Sequence, residues 1–367
     1  MDLTFSDEQR LLADSVGDFL AEQRDFAARR AQLATGVTIA PHVWAHLGEQ
    51  GLLALPRSEA VGGMGGSIVD LVAVAMRFGA ALLTEPYLAT VVLAGGALEA
   101  AGGDAACALL ERIASGDCIA AFAHDEAVSG GPASLIETSA ISKEGGYVLN
   151  GVKHLVLAAG EASQLVVTAR YDEGIALFLL DAAADGVEID GFVTVDGRGA
   201  GRLRLTDVQV DGSALLLRDA EPALEEILTD AVVYLAAESV GAMEALFRMT
   251  SAYAATREQF GVPIGTFQTV AHRLADMKIA LTKASASLFY VTALREAGRA
   301  TPRDISQLKA QTGRLGRSLA EAAVQTHGGV GMTDELAVGH LLKRIVANDI
   351  LFGDADLHLR RLGATSL

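Results

Sequence analysis

Cysteine is nearly missing from this chain of 367 residues: only Cys107 and Cys118 occur, with no histidine beside them at metal-ligand spacing. Neither a disulfide framework nor a zinc site is supported, and a reducing, cytoplasmic setting is expected. Aromatic residues are scarce, at 5% against 51% hydrophobic overall. With Ala, Leu and Gly abundant, close-packed helices are favoured over a β-sandwich. There is no basic excess either; the formal net charge is −17. Without a separate basic stripe, such a surface repels phosphate backbones and argues against a nucleic-acid partner. An anionic ligand would need a local cluster, for which Arg257, Arg273, Lys343, Arg344, Arg360 and Arg361 are candidates, each also readable as a solvated surface charge. Long apolar runs are absent. The longest stretch without Asp, Glu, Lys or Arg, Ala31 to Gly48, contains Gln32, Thr35, Thr38, Pro41, His42 and His46, so no membrane-spanning helix is expected. The start, Met1-Asp2-Leu3-Thr4, carries neither the basic residues nor the apolar segment of a secretory signal.

What is present begins with helical periodicity. Ser6 followed by Gln9 forms a capping-box pattern, and Leu12, Val16, Phe19 and Leu20 follow at helical spacing. Val43, Trp44 and Leu47 predict a second helix that closes near Gly51. The run Gly62-Gly63-Met64-Gly65-Gly66 reads as a loop before a helix capped by Ser67 with Asp70. It lacks the Lys-Ser/Thr ending and the preceding strand that a phosphate loop requires. Further helices are predicted over residues 68–82, 87–101 and 105–114. After Gly116 the period shortens, and apolar runs at 119–123, 136–141, 147–149, 165–169, 175–180 and 203–205 predict strands, with Lys143-Glu144-Gly145-Gly146 as a hairpin turn. From Pro222 the helical period returns; the stretch to Thr256 has no internal Pro and as one helix is about 50 Å long, which only a multi-helix bundle buries. The expected organisation is a helical domain over residues 1–116, a β domain over 117–218 and a second helical domain over 219–367, packed as one body.

Two apolar stripes flank the most informative stretch: Ile227, Ala231, Leu235, Ala242, Leu246, Met249 and Tyr253 before it, and Val270, Leu274, Met277, Ala280 and Leu281 after it. Between them lies Arg257-Glu258-Gln259-Phe260-Gly261-Val262-Pro263-Ile264-Gly265-Thr266-Phe267-Gln268. Gly261, Pro263 and Gly265 stop a helix, so an antiparallel connection is expected that leaves Arg257 at one helix end and Gln268 at the next helix start. That corner suits an anion, because Arg forks onto phosphate and a helix start offers unpaired N–H groups. An ordinary helix hairpin with a solvated arginine has the same spacing.

The wording of this stretch resembles the acyl-CoA dehydrogenase family, whose members carry an Arg-x-x-Phe-Gly turn followed by Phe-Gln. A second stretch in the family's order follows: Gln325-Thr326-His327-Gly328-Gly329-Val330-Gly331-Met332-Thr333, then Gly339-His340 with Lys343-Arg344. Tyr147-Val148-Leu149-Asn150-Gly151 resembles the family's strand and turn at the same place, and the resemblance covers essentially the whole chain. Within the family its wording most resembles the small subunit of pimeloyl-CoA dehydrogenase, through Ser239-Val240-Gly241-Ala242-Met243-Glu244-Ala245 and Leu351-Phe352-Gly353-Asp354-Ala355-Asp356. The implied fold is mostly α with a central β domain: an N-terminal helical domain, a middle β-barrel or sandwich, and a C-terminal four-helix bundle. The implied activity oxidises an acyl-CoA to the 2-enoyl-CoA with FAD, a carboxylate removing the α-proton while a hydride leaves the β-carbon.

By that resemblance Arg257 meets the FAD pyrophosphate, Phe260 packs on the cofactor, Gln268 reaches the adenosine portion, and Gln325, Gly328 and Gly329 let backbone approach the pyrophosphate. In the family these residues serve the FAD of a neighbouring subunit, which implies an oligomer. The contacts to the flavin ring depart from the pattern. The chain reads Ala123-His124-Asp125-Glu126-Ala127-Val128, placing Asp125 where a flavin-bonding Thr usually sits, and Lys153-His154-Leu155-Val156-Leu157, where a Trp and then a Thr are usual. A carboxylate beside a reduced flavin is unfavourable and Leu donates no hydrogen bond; His124 is a substitute donor or a solvated loop residue. The catalytic carboxylate is missing from both family positions, which here are Gly353 and Ala231. Asp354 is one residue late, Asp230 is turned by about 100° on the helix, and Glu238 is displaced by about 10 Å along it. Each is a weak candidate base, and Asp230 and Glu238 read equally as helix-surface or interface acids.

What the chain would lend to a neighbour's cofactor is kept, and what its own pocket would need is lost. The expected role is a base-deficient partner subunit in a hetero-oligomeric acyl-CoA dehydrogenase, with a carboxylated, long or bulky acyl chain and an electron-transfer flavoprotein as acceptor. The alternatives are a self-sufficient homo-oligomeric enzyme with a relocated carboxylate and a non-catalytic scaffold or binding protein of the same fold.

Overall fold

The structure, a computed structural model, describes residues 5–23, 26–126 and 136–364. Helix α1 (Asp7–Gln23) opens on the expected reciprocal cap: Gln9 N–H donates to Ser6 Oγ at 3.1 Å and Ser6 N–H to Gln9 Oε1 at 3.0 Å. Helix α2 (Phe26–Ala34) follows, unmarked by periodicity, then α3 (Pro41–Glu49) and α4 (Ile68–Ala80). The single helix expected over 87–101 is a π-helix (Tyr87–Ala94) running into α5 (Gly95–Ala101). Every residue of the wide turns is buried. Tyr87 Oη donates to Leu52 O and Thr90 Oγ1 to Ala120 O, each at 2.9 Å. Tertiary contacts of this kind hold an unusual helix type that a local pattern does not encode. Helix α6 (Gly103–Ala114) completes the run.

The strands are β1 (Ala120–Ala123), β2 (Ser139–Lys143), β3 (Gly146–Leu157), β4 (Gln164–Tyr171), β5 (Gly174–Asp181), β6 (Val187–Val193), β7 (Gly199–Asp211) and β8 (Leu215–Leu217). They form one sheet in the order β6-β7-β3-β2-β4-β5-β8, with β1 added in parallel to β4. The expected hairpin is present: Lys143 pairs with Gly146, and Gly145 takes the left-handed φ of +85°. The strand expected at 147–149 runs on to Leu157, and β6 and β8 were not marked by the sequence. β6 is half-exposed or exposed along its length, so it has no apolar face to announce it. Leu149, Val156, Leu165, Val167, Phe178, Leu203 and Val208 lie in the core of the sheet.

Helix α7 (Glu221–Thr256) is the uninterrupted helix expected, 36 residues long. Two short strands, β9 (Glu258–Gln259) and β10 (Val262–Pro263), lead to α8 (Gln268–Glu296), and α9 (Pro302–His327), α10 (Ala337–Ile350) and α11 (Ala355–Ala364) complete the chain. The chain divides into two compact units: Met1–Ala31 with Ile68–Leu83 and Val232–Leu367, and Gln32–Ser67 with Thr84–Ala231. In the first, α9 packs against α8, α10 and α11, and α1 against α4. There α4 and α7 cross at two glycines. A Cβ on Gly79 would lie 1.9 Å from Glu238 O, and one on Gly241 1.8 Å from Met76 O; only glycine permits that approach. The second unit holds the sheet with α3, the π-helix, α5 and α6. Among the described residues no helix is long and apolar enough to cross a membrane.

Candidate functional site

In the helical unit, the Arg257 corner is a tight hairpin. Arg257 N–H closes α7 on Tyr253 O, and Arg257 O accepts from Ile264 N–H, both at 2.8 Å. Gln259 pairs with Val262, leaving Phe260 (φ +54°) and Gly261 (φ +81°) as the turn residues. Left-handed backbone at both positions is the type I′ signature, which favours Asn-Gly and is strained at Phe. Phe260 is nevertheless 95% exposed. The Arg257 guanidinium is exposed and makes no ion pair among the described residues. Gln268 opens α8 with no side-chain cap on its first turn, so the amides there keep donors for an acceptor outside the chain.

The second glycine-containing stretch lies beside this corner. The His327 ring, at the end of α9, stacks on Tyr253, one turn before Arg257, at 4.4 Å between centroids. Arg273 of α8 donates to Thr326 Oγ1 at 3.5 Å. Helix α9 stops at Gly328, whose φ is +66°, and a Cβ on Gly328 or Gly329 would meet nothing within 4 Å. Gln325, Gly328 and Gly329 are exposed. Six residues from three helix ends therefore converge: an Arg with no ion pair among the described residues, two glycines with open approach, an exposed aromatic and two glutamines, one of which opens an uncapped helix. This set fits an elongated ligand carrying phosphate. The stacking of Tyr253 on His327 was not foreseen, since the two are distant in sequence.

Arg344 corrects the anion cluster read from the sequence. It is fully buried, donating to Leu83 O at 2.7 Å and facing Glu238 at 3.6 Å. Glu238 is likewise not the surface or interface acid expected, being 2% exposed. It accepts from Tyr234 Oη at 3.1 Å and Asn348 Nδ2 at 3.2 Å. Asp354 is exposed and caps α11, accepting from Leu357 N–H at 2.8 Å. Gly353 has a φ of +99°, and a Cβ there would lie 2.6 Å from Leu357 Cδ2, so no side chain is accommodated without movement. Beneath it Lys309, buried, donates to the last carbonyls of α10, Asn348 O and Asp349 O, at 2.7 Å each.

In the sheet unit, half-buried Asp230 places its charge close enough to act on Arg57, which is paired with Glu99 at 2.9 Å. The two altered flavin-ring stretches meet: Asp125 bridges Leu155, and His154 N–H donates to Asp125 O at 2.9 Å. Ala127 and Val128 lie outside the described residues. His124 is not solvated; it is 6% exposed, stacks on Phe122 and sits 3.3 Å from Thr168 Oγ1. Burial, reinforced by the Lys153 charge, pulls the imidazole down to about 4, so it is neutral at pH 7. Lys153 is fully buried and donates to Glu126 at 2.6 Å, Thr168 Oγ1 at 3.0 Å and His124 O at 3.3 Å. No local signal marks this pair, whose partners are far apart in sequence.

Three family descriptions match in chain order: acyl-CoA dehydrogenase N-terminal domain over residues 6–117, middle domain over 121–208 and C-terminal domain over 223–367. Acyl-CoA dehydrogenase FadE27 of Mycobacterium tuberculosis is 30% identical over 342 residues, covering 88% of this chain and 87% of that protein. The chain belongs to the acyl-CoA dehydrogenase family, oxidoreductases acting on a CH–CH bond. Among solved structures, the ChsE4-ChsE5 complex from M. tuberculosis superposes with a TM-score of 0.91 at 28% identity, over 100% of this chain and 99% of that one. A glutaryl-CoA dehydrogenase from Mycobacterium smegmatis, solved with FADH2, shares the fold at a TM-score of 0.92 and 22% identity, over 99% and 95%.

Proposed function

We propose that this chain is a base-deficient subunit of a hetero-oligomeric, FAD-dependent acyl-CoA dehydrogenase, and that it completes the FAD site of a neighbouring subunit. The observation that carries the reading is an asymmetry. Arg257, Phe260, Gln268, Gln325, Gly328 and Gly329 converge on one exposed corner, whereas Glu238 and Asp354 are engaged in holding the fold and Asp230 lies half-buried beside the Arg57 charge. A carboxylate tied into an ion pair or a helix cap is a poor proton acceptor for substrate. The ChsE4-ChsE5 relative, a complex of two named components, supports a hetero-oligomer.

When bound, FAD would supply the hydride acceptor for oxidation of the acyl thioester to its 2-enoyl form. In this chain Arg257 would fork onto the pyrophosphate, Gln268 and the α8 amides would meet the adenosine portion, and Phe260 would cover the cofactor. Gln325, Gly328 and Gly329 would admit the pyrophosphate against backbone. The neighbour supplies the flavin-ring contacts, the substrate pocket and the catalytic Glu. The setting is cytoplasmic, with an electron-transfer flavoprotein as acceptor and a carboxylated, long or bulky acyl group.

The flavin-to-chain ratio tests this, read from visible absorbance of the chain purified alone and after co-expression with an acyl-CoA dehydrogenase chain that retains the Glu. Colourless protein alone, with FAD appearing only in the mixed complex and lost in Arg257→Ala, is the expected result. One FAD per chain in the isolated protein, reducible by an acyl-CoA, would overturn it.

A further inference from the structure

The turn that leaves Gly328 and Gly329 open has to be held in place from its far end, and an unusual chain of contacts does so. Arg29 of α2 is 2% exposed, and its Nε donates to Leu82 O at 3.1 Å, just beyond α4. Its Nη1 faces His340 Nδ1 at 3.3 Å. A guanidinium only donates, so Nδ1 must present its lone pair, and the imidazole proton therefore sits on Nε2. Nε2 lies 3.2 Å from Asp334 O and 3.0 Å from Asp334 Oδ1. Arg30 grips the other Asp334 oxygen at 3.3 Å. Phe26 packs edge-on against the imidazole, 5.0 Å between centroids.

The opposite end of the turn is already fixed. His327 is locked by Tyr253 and by Ala323 O at 2.9 Å. A Cβ on Gly331 would lie 2.9 Å from Val324 O, so that glycine packs directly on α9. Asp334 is thus the second tether of residues 328–334, and its carbonyl and carboxylate are bound through His340.

We propose that His340, as the neutral Nε2–H tautomer relaying between Arg29 and Asp334, is the positioning residue for the Gly328–Asp334 turn. This rests on the preceding reading only where cofactor affinity is concerned; the tether itself does not depend on it. The groups facing the imidazole are Arg29 and Arg30 from α2, Lys343 from its own helix and Asp334 from the turn. Protonating Nδ1 sets a cation against Arg29 and removes the acceptor that Arg29 uses. Burial first, then the charges of Arg29 and Lys343, hold the imidazole below its ordinary value against the opposing pull of Asp334. The native state therefore binds the proton less readily than the unfolded chain, and the tether weakens as pH falls below about 6.5.

The test uses the full chain. Nitrogen-15 spectra of His340 report the tautomer directly, and hydrogen-exchange protection of the 328–336 amides is measured at pH 7.5 and 5.5, corrected for intrinsic exchange. Gln at 340 offers an amide N–H toward Asp334 and does not titrate. The wild-type turn is expected to lose protection at the lower pH by about tenfold, His340→Gln to hold it at both, and His340→Ala to lose it at both. A protonated or Nδ1–H imidazole at pH 7.5, unchanged protection in His340→Ala, or a wild-type pH response in His340→Gln would overturn the proposal. In the mixed complex, FAD affinity is expected to follow turn protection. If protection responds as stated and FAD affinity does not, the cofactor assignment fails while the tether stands.

Discussion

Asp125 sits where two departures from the family pattern meet, and its surroundings dictate its protonation. Burial pushes its carboxyl up to about 6, against the opposing charge of Lys153. An acid whose native pKa lies above its unfolded value binds protons more readily when folded, so stability is lost as pH rises from about 4 through 6. Asp125→Asn is therefore expected to raise the melting temperature at pH 7, with the gain shrinking towards zero near pH 4; equal gains at both values would contradict this. Lys153 has a different role. It is buried and fully hydrogen-bonded, so it holds Glu126 and the end of β1 rather than serving as a mobile base.

The element whose energetics point beyond the chain is the β9–β10 hairpin. Its turn places a phenylalanine in left-handed backbone, which is disfavoured by about 1 kcal/mol, and exposes the ring. Strain without burial is unexpected in an isolated chain and intelligible where the ring is covered by a cofactor or subunit. Phe260→Asn is expected to stabilise the isolated chain by up to about 1 kcal/mol in urea titration while weakening FAD retention in the mixed complex. A variant that loses both stability and FAD would show that Phe260 serves the fold alone. The π-helix makes a related point. Residues 87–101 carry no signal that separates its wide turns from an α-helix, because the hydroxyl bonds of Tyr87 and Thr90 go to carbonyls contributed by distant residues.

For the molecule as a whole, Phe260, Val262, Val330 and Met332 stay exposed in the helical unit, all close in sequence to the convergent corner. Clustered exposed apolar side chains mark surfaces that are covered in an assembly. Co-assembly is expected to slow amide exchange at residues 257–268 and 325–336 while leaving the core of the sheet, β3 to β5, unchanged. Slowing confined to the sheet would place the partner elsewhere and remove support for the shared site.

Most helices, most strands and two of the candidate site's helix ends, at Arg257 and Gln268, are legible in the sequence, because apolar period, caps and glycines act locally. The Ser6–Gln9 cap, the Glu144–Gly145 hairpin and the α7 stop at Arg257 each depend on a few neighbouring residues. Membership of the acyl-CoA dehydrogenase family follows from motif order alone. Tertiary structure decided whatever depends on burial and on partners distant in the chain. It buried Arg344 against Glu238, turned His124 into a neutral core residue, paired Lys153 with Glu126, and set His327 on Tyr253 and His340 between Arg29 and Asp334. A charged side chain reads alike in sequence whether solvated or paired; only the fold brings its counter-charge within hydrogen-bonding distance and removes the water.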